Sequence, residues 1–294
     1  MDQKKFSGTG VAIITPFRKD GSIDFKSLGK LLDHLIKGGV NYLVVLGTTG
    51  ESVTLSKDEK KAVINFVTDT VCGKIPVVVG IGGNNTEEVL DSIRHTDFQA
   101  IDAILSVAPY YNKPSQQGLY LHFKAIATAS PVPVIIYNVP GRTGSNISAD
   151  TTVKLATECN SIIATKEASG NLAQVMQIIK NKPKGFQVIS GDDALALSIV
   201  AMGGSGVISV AANAYPKQIS EMINLALKGD FTKACSIHYK LLDVVNAMFD
   251  EGNPPGIKAV LEILKIAPNN LRLPLAPVSE TLYSKLELLV KKLK

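Results

Sequence analysis

The chain has 294 residues, 45% of them hydrophobic and 19% charged, which is enough apolar material for a large core and too little charge for a disordered chain. Basic residues outnumber acidic ones by only 31 to 26, and the surplus is spread out, which argues against a nucleic-acid-binding patch. No apolar run approaches the ~18 residues of a membrane span, and the opening MDQKKFSGTG lacks an apolar signal core, so a cytoplasmic protein is expected.

In chain order, short β-branched runs alternate with helix-length amphipathic stretches. GVAIITPF (10–17) precedes DFKSLGKLLDHLIKGG (24–39), which carries Phe25, Leu28, Leu31, Leu32, Leu35 and Ile36 on one helical face. NYLVVLG (41–47) leads to a helix opened by the capping box SKDE, with Ser56 capping Glu59. IPVVVGIG (75–82) precedes a helix opened by Thr86, and DAILSVAP (102–109) one that starts at Pro114-Ser115. PVIIYNVP (133–140) is followed by a helix from Ser148. SIIATKEA (161–168), FQVISGD (186–192) and GVISVAA (206–212) complete the set, with Tyr215-Pro216 starting the helix after the last run. Near-continuous apolar strands bury both faces, as in parallel sheets.

Eight such units predict an α/β fold, a (β/α)8 TIM barrel over 1–228. An open doubly wound sheet would want a glycine-rich phosphate turn after its first strand, and TPFRKDG stands there instead. Residues 229–294 predict three helices, 230–250, 255–266 and 279–293. No Gly-, Ser- or Pro-rich linker precedes them, so they are expected to pack on the barrel as a helical appendage. GGSG (203–206) precedes the eighth strand and reads as a tight turn at the lower face. Cys72, Cys159 and Cys235 have no metal-ligand spacing and read as reduced, buried thiols.

Active groups of such a barrel lie at the C-terminal strand ends. There the sequence places Thr48, Thr49 and Glu51 (GTTGES), Tyr110 and Tyr111 (PYYNKP), Tyr137, Asn138, Arg142 and Thr143 (YNVPGRTG), Lys166 (ATKEASG), and Gly191, Asp192 and Asp193 (SGDD). Lys166 is the sole cation of an apolar strand and shares a face with Ala164 and Ala168. Burial lowers a lysine pKa, and a neutral amine attacks carbonyls to form a Schiff base. A structural lysine paired with Glu167 is the alternative, but Glu167 points to the other face. Tyr137, one strand away, could relay protons or be a core tyrosine. Thr48-Thr49 could bind a carboxylate or form a turn and cap. Tyr110-Tyr111 could pack or form an interface. Arg142, in a Gly-flanked loop, suits bidentate carboxylate recognition or a solvated surface. Asp192-Asp193 reads as a helix cap. The four histidines fall in helical stretches, so a metal site at the strand ends is not expected.

The ordered set GTGVAIITPF, GTTGES, PYYNKPSQQGLYLHF, YNVPGRTG, ATKEASG, SGDDA and GVISVAAN, extended by NPPGIK (253–258), resembles the dihydrodipicolinate synthase family within the pyruvate-dependent aldolase and N-acetylneuraminate lyase superfamily. The resemblance implies condensation of pyruvate with L-aspartate 4-semialdehyde, giving 4-hydroxy-tetrahydrodipicolinate for diaminopimelate and lysine synthesis, with no metal or organic cofactor. It implies that Lys166 forms the Schiff base and Tyr137 donates and accepts the proton. Thr48 would link Tyr137 to Tyr111 of a neighbouring subunit. Thr49 and the backbone of Ile208 would hold the pyruvate carboxylate, near Gly191, and Arg142 the carboxylate of the aldehyde. A homotetramer built as a dimer of dimers is implied. The alternatives are a lyase for a sugar acid such as N-acetylneuraminate, which would generally lack Arg142, and a catalytically silent pyruvate binder.

Many relatives are inhibited by lysine at a dimer interface, and the matching positions are Ser52, Val53, Lys57, Lys60, Asn84, Glu88 and Tyr110. Sensitive members tend to carry histidine where Lys60 stands. A cation there repels the ligand's ammonium, so weak or absent feedback is expected.

Overall fold

The computed structural model describes residues 5–293. Eight strands, β1 Gly8–Ala12, β2 Tyr42–Val45, β3 Val77–Gly80, β4 Ala103–Val107, β5 Val134–Asn138, β6 Ile162–Glu167, β7 Gln187–Ser190 and β8 Gly206–Ser209, close into one barrel in sequence order. Every neighbouring pair is parallel, and β8 closes on β1. The helices α1 Phe25–Lys37, α2 Lys57–Val71, α3 Thr86–Arg94, α4 Gln116–Ala129, the short α5 Pro140–Thr143, α6 Ala149–Glu158, α7 Leu172–Asn181, α8 Ala196–Ala201 and α9 Pro216–Leu227 lie between and after the strands. This is the (β/α)8 TIM barrel that the alternation predicts. Three further helices follow, α10 Phe231–Ala247, α11 Pro255–Ile263 and α12 Glu280–Lys292. No helix of the described residues is long and apolar enough to cross a membrane.

Strand alternation sorts the apolar residues into two cores. Tyr42, Val44, Val78, Leu105, Ile135, Tyr137, Ala164, Ile189 and Ile208 fill the barrel. Their neighbours Leu43, Val45, Ile104, Val134, Ile136, Val188 and Val207 face the helix layer. Phe6 plugs one end, meeting Tyr42 edge-on at 5.5 Å. The helices start where their caps lie. Ser56 and Glu59 form both halves of the capping box, while Ser115 and Ser148 cap α4 and α6. Helix α1 buries Leu28, Leu31, Leu32 and Leu35 completely, each worth roughly 1.5–3 kcal/mol of burial.

The strands are shorter than the apolar runs, and β1 starts two residues earlier than its run. The physical reason is visible after Ala12. There the Asn213 side chain donates to the Ala12 carbonyl at 2.8 Å and accepts from the Ile14 amide at 3.2 Å. A side chain thus replaces the ladder, and the rest of the run becomes loop. The GGSG turn does lie at the start of β8, where Gly206 has φ 145 and a Cβ would meet the Gly8 carbonyl. The thiols differ from expectation. Cys159 is buried, but Cys235 is half-buried and Cys72 exposed, because Cys72 is the left-handed C-cap of α2 rather than part of its apolar face.

Candidate active site

Lys166 and Tyr137 are direct register partners on β6 and β5, and both point into the barrel near its C-terminal mouth. The Lys166 ammonium nitrogen lies 4.2 Å from the centre of the Tyr137 ring. Lys166 is 5% exposed and, among the described residues, its Nζ forms no hydrogen bond or ion pair. Burial is the largest influence on the amine and pulls its pKa down to about 8; the Asp193 carboxylate opposes this and the Arg142 charge adds to it. Gly191 explains how the side chain fits. A Cβ there would stand 2.9 Å from Lys166 Cε and 2.8 Å from Ala168 Cβ, so only glycine leaves the lysine its space.

Burial raises the Tyr137 phenol, while the Arg142 charge and the nearby Thr48 hydroxyl favour its ionised form. The Thr48–Tyr137 contact does not close as a hydrogen bond of ordinary geometry, so it is a neighbour and not yet a relay. Thr48 is exposed at the mouth, and Thr49 is buried beside it. Arg142 is exposed on α5. Its guanidinium donates to the Asn253 carbonyl at 3.4 Å, and the Asn253 carboxamide donates to Thr49 Oγ1 at 3.0 Å. The Ile208 side chain is wholly buried in the barrel, which leaves only its backbone for a ligand.

Tyr111 stands apart. It is 88% exposed with φ 70, a left-handed conformation that a bulky residue adopts at a cost. The chain's own Lys166–Tyr137 pair does not engage it. Asp192 accepts from the Ala194 and Leu195 amides just before α8, but α8 itself has no side-chain cap. Asp193 departs from the expected helix cap: it turns the other way and accepts from the Val210 and Ala211 amides and the Ser209 hydroxyl at the top of β8. A cavity of about 560 Å³ lies between α1, α9 and the C-terminal helices, away from Lys166 and Tyr137, so the chemistry is assigned by the reactive pair and not by this cavity.

The sequence carries no sign of the part Asn253 plays, although it lies in the NPPGIK motif, nor of the role of Glu51. Glu51 is buried at φ 52 and pairs with Lys258 of α11 at 2.5 Å, while its other oxygen accepts from the Arg272 amide. The Thr48–Thr49 turn is therefore clamped from below by the C-terminal segment. No local signal could reveal this, because the partners lie more than two hundred residues apart.

A closed barrel with a buried, unpaired lysine against a tyrosine at its C-terminal mouth defines a Schiff-base type of enzyme. The family model for the dihydrodipicolinate synthetase family matches residues 5–293. The chain is 50% identical over 288 residues to a 4-hydroxy-tetrahydrodipicolinate synthase of Flavobacterium psychrophilum, covering 98% of each. Among solved structures it resembles dihydrodipicolinate synthase from Aquifex aeolicus, with TM-score 0.94, 43% identity and 98% of each chain covered. It also resembles a chain described as a monomeric dihydrodipicolinate synthase variant, with TM-score 0.96 and 38% identity over 99% of this chain and 98% of that one. The chain belongs to the dihydrodipicolinate synthetase family and is an enzyme.

Proposed function

We propose that this protein catalyses the 4-hydroxy-tetrahydrodipicolinate synthase reaction, joining pyruvate to L-aspartate 4-semialdehyde in the cytoplasm. The observation that carries the reading is the unpaired Lys166 amine, register-matched to Tyr137, with the Arg142 charge acting on both. The neutral amine adds to the pyruvate ketone, and Tyr137 passes protons as the carbinolamine loses water. The protonated imine draws electrons from the methyl carbon, which loses a proton to give an enamine. That carbon attacks the aldehyde. The amine of the incoming substrate then attacks the imine carbon, closes the ring and releases Lys166.

In this reading Thr49 and the Ile208 backbone hold the pyruvate carboxylate, and Gly191 leaves room beside the lysine. Arg142 binds the second carboxylate, and Thr48 joins Tyr137 to Tyr111 of a neighbouring subunit. The exposure and strained backbone of Tyr111 support a partner-facing role, and the reading includes a homotetramer built as a dimer of dimers. The barrel of residues 1–228 carries the chemistry, with 229–294 packed against it as an appendage.

The test is pyruvate consumption by the purified protein with aspartate semialdehyde, with N-acetylmannosamine and a sugar-acid aldehyde as controls. Consumption with aspartate semialdehyde alone is the expected result. Consumption driven by a control moves the enzyme to the lyase branch, and none with any aldehyde leaves a silent pyruvate binder.

A further inference from the structure

The reactive pair has a second pair directly beside it. On the same two strands, Asn138 is opposite Glu167, one residue along from Tyr137 opposite Lys166. Alternation sends this pair to the outer face of the sheet, where Asn138 and Glu167 are 0% and 1% exposed. The Asn138 carboxamide donates to both Glu167 oxygens, at 3.0 and 3.2 Å. Glu167 also accepts from the Ser169 amide at 3.0 Å and from Gln174 of α7 at 3.0 Å. Among the described residues it makes no ion pair. A buried carboxylate held only by neutral donors is a costly way to fill space, and an apolar pair would serve packing as well.

Two features give the pair a task. First, β5 and β6 change register between Val134 and Ile135. Above that shift four pairs run in register up to the mouth, and Asn138 opposite Glu167 is the last of them, so this pair closes the ladder that keeps Lys166 facing Tyr137; a one-residue slip there would turn one of the two out of the barrel. Second, Asn138 holds the far end of the segment that carries Arg142. Its Oδ1 accepts from the Ile147 amide at 2.9 Å, and its Nδ2 donates to Asn146 at 2.8 Å. One side chain thus touches the register of the reactive pair and the closure of the arginine loop.

Resting on the Schiff-base reading above, we infer that Asn138 and Glu167 are positioning residues for the reaction: their buried carboxamide–carboxylate contact holds the Lys166 amine facing Tyr137 and sets the Arg142 loop. The test compares the parent with Asn138→Asp and with the swap Asn138→Asp/Glu167→Gln. The readouts are the rate of borohydride-trapped pyruvate adduct at Lys166, the KM for the aldehyde, and circular dichroism to establish folding. Asn138→Asp sets two carboxylates side by side and is expected to slow trapping by roughly tenfold or more and to raise the aldehyde KM. The swap restores the contact with donor and acceptor exchanged and is expected to return trapping to within roughly threefold of the parent. A folded Asn138→Asp with parental trapping and KM overturns the inference, as does a swap that recovers the melting temperature without the rate.

Should Asn138→Asp not fold, Glu167→Gln alone carries the comparison. It keeps an acceptor for Asn138 but presents a donor to Gln174, and an unchanged trapping rate and KM there also overturn the inference. A parent that traps no pyruvate refutes the Schiff-base reading itself. The inference is then judged by labelling of Lys166 with trace acetic anhydride. The labelling midpoint in pH is expected to move in the variant and return in the swap, and an unmoved midpoint overturns it.

Discussion

Two buried lysines in this molecule have the same lowered pKa and different fates. Lys166 in β6 and Lys258 in α11 are both pulled down to about 8, in each case chiefly by burial. Lys258 is fully enclosed and engaged: its amine meets Glu51 at 2.5 Å and the Asn270 carbonyl at 2.7 Å, over the face of Phe17. The Lys166 amine lies over the ring of Tyr137 and, among the described residues, has no hydrogen-bond or ion-pair partner. Burial makes an amine easier to deprotonate, but a nucleophile also needs a lone pair that nothing else holds. The difference lies in partner occupancy, not in the shift.

Replacing each lysine separates the two roles. Lys166→Ala is expected to abolish the borohydride-trapped adduct and lower turnover by roughly 10³-fold or more, while the melting temperature stays near the parent's because no partner is orphaned. Lys258→Met leaves Glu51 buried without its cation. It is expected to destabilise the fold by about 3–5 kcal/mol, measured by urea unfolding, with an adduct still formed by whatever fraction is folded. Adding Glu51→Gln removes the orphaned charge while keeping an acceptor for the Arg272 amide, and should recover most of that loss. If Lys258→Met lost the adduct while fully folded, the comparison would break.

The pH dependence sharpens it further. Only the neutral Lys166 amine attacks a ketone, so kcat/KM for pyruvate should rise with pH and level off above about 8. At pH 7 about a tenth of the amine is neutral, which predicts a roughly tenfold climb from pH 7 to the plateau. Tyr137, raised by burial, stays protonated throughout this range and imposes no alkaline fall there. An acid limb absent between pH 6 and 8 would place the amine's pKa elsewhere.

Lys166 was legible in the sequence because a single cation in an apolar strand is anomalous wherever it occurs. The barrel was legible for a related reason: strands buried on both faces show as unbroken apolar runs. Strand ends were not, since β1 ends where the Asn213 side chain takes over its hydrogen bonds, a contact spanning some two hundred residues. Asn138 and Glu167 look like ordinary polar residues until the β5–β6 register sets them opposite each other. Lys258 and Asn253 sit in the NPPGIK motif, but their roles depend on Glu51 and Thr49 at the other end of the chain. Composition reveals an unusual residue; it does not reveal which distant group has satisfied it.

A third lysine marks the weak end of the same scale. Lys60 is partly exposed on α2 and, among the described residues, forms no ion pair. Its charge acts through water, where two like charges about 4 Å apart repel by only ~1 kcal/mol. If free lysine binds between subunits near Ser52, Val53, Asn84 and Tyr110, that repulsion weakens it by roughly fivefold. Lys60→His, largely neutral at pH 8, should therefore lower the lysine concentration for half-inhibition by about that factor, with the gap between variants narrowing as salt is raised. Tight inhibition of the parent, unchanged in Lys60→His and insensitive to salt, would show that contacts elsewhere outweigh this charge. An unpaired lysine matters in proportion to how little water surrounds it, so a change at the buried Lys166 is expected to abolish turnover and one at Lys60 to shift inhibition by only a few-fold.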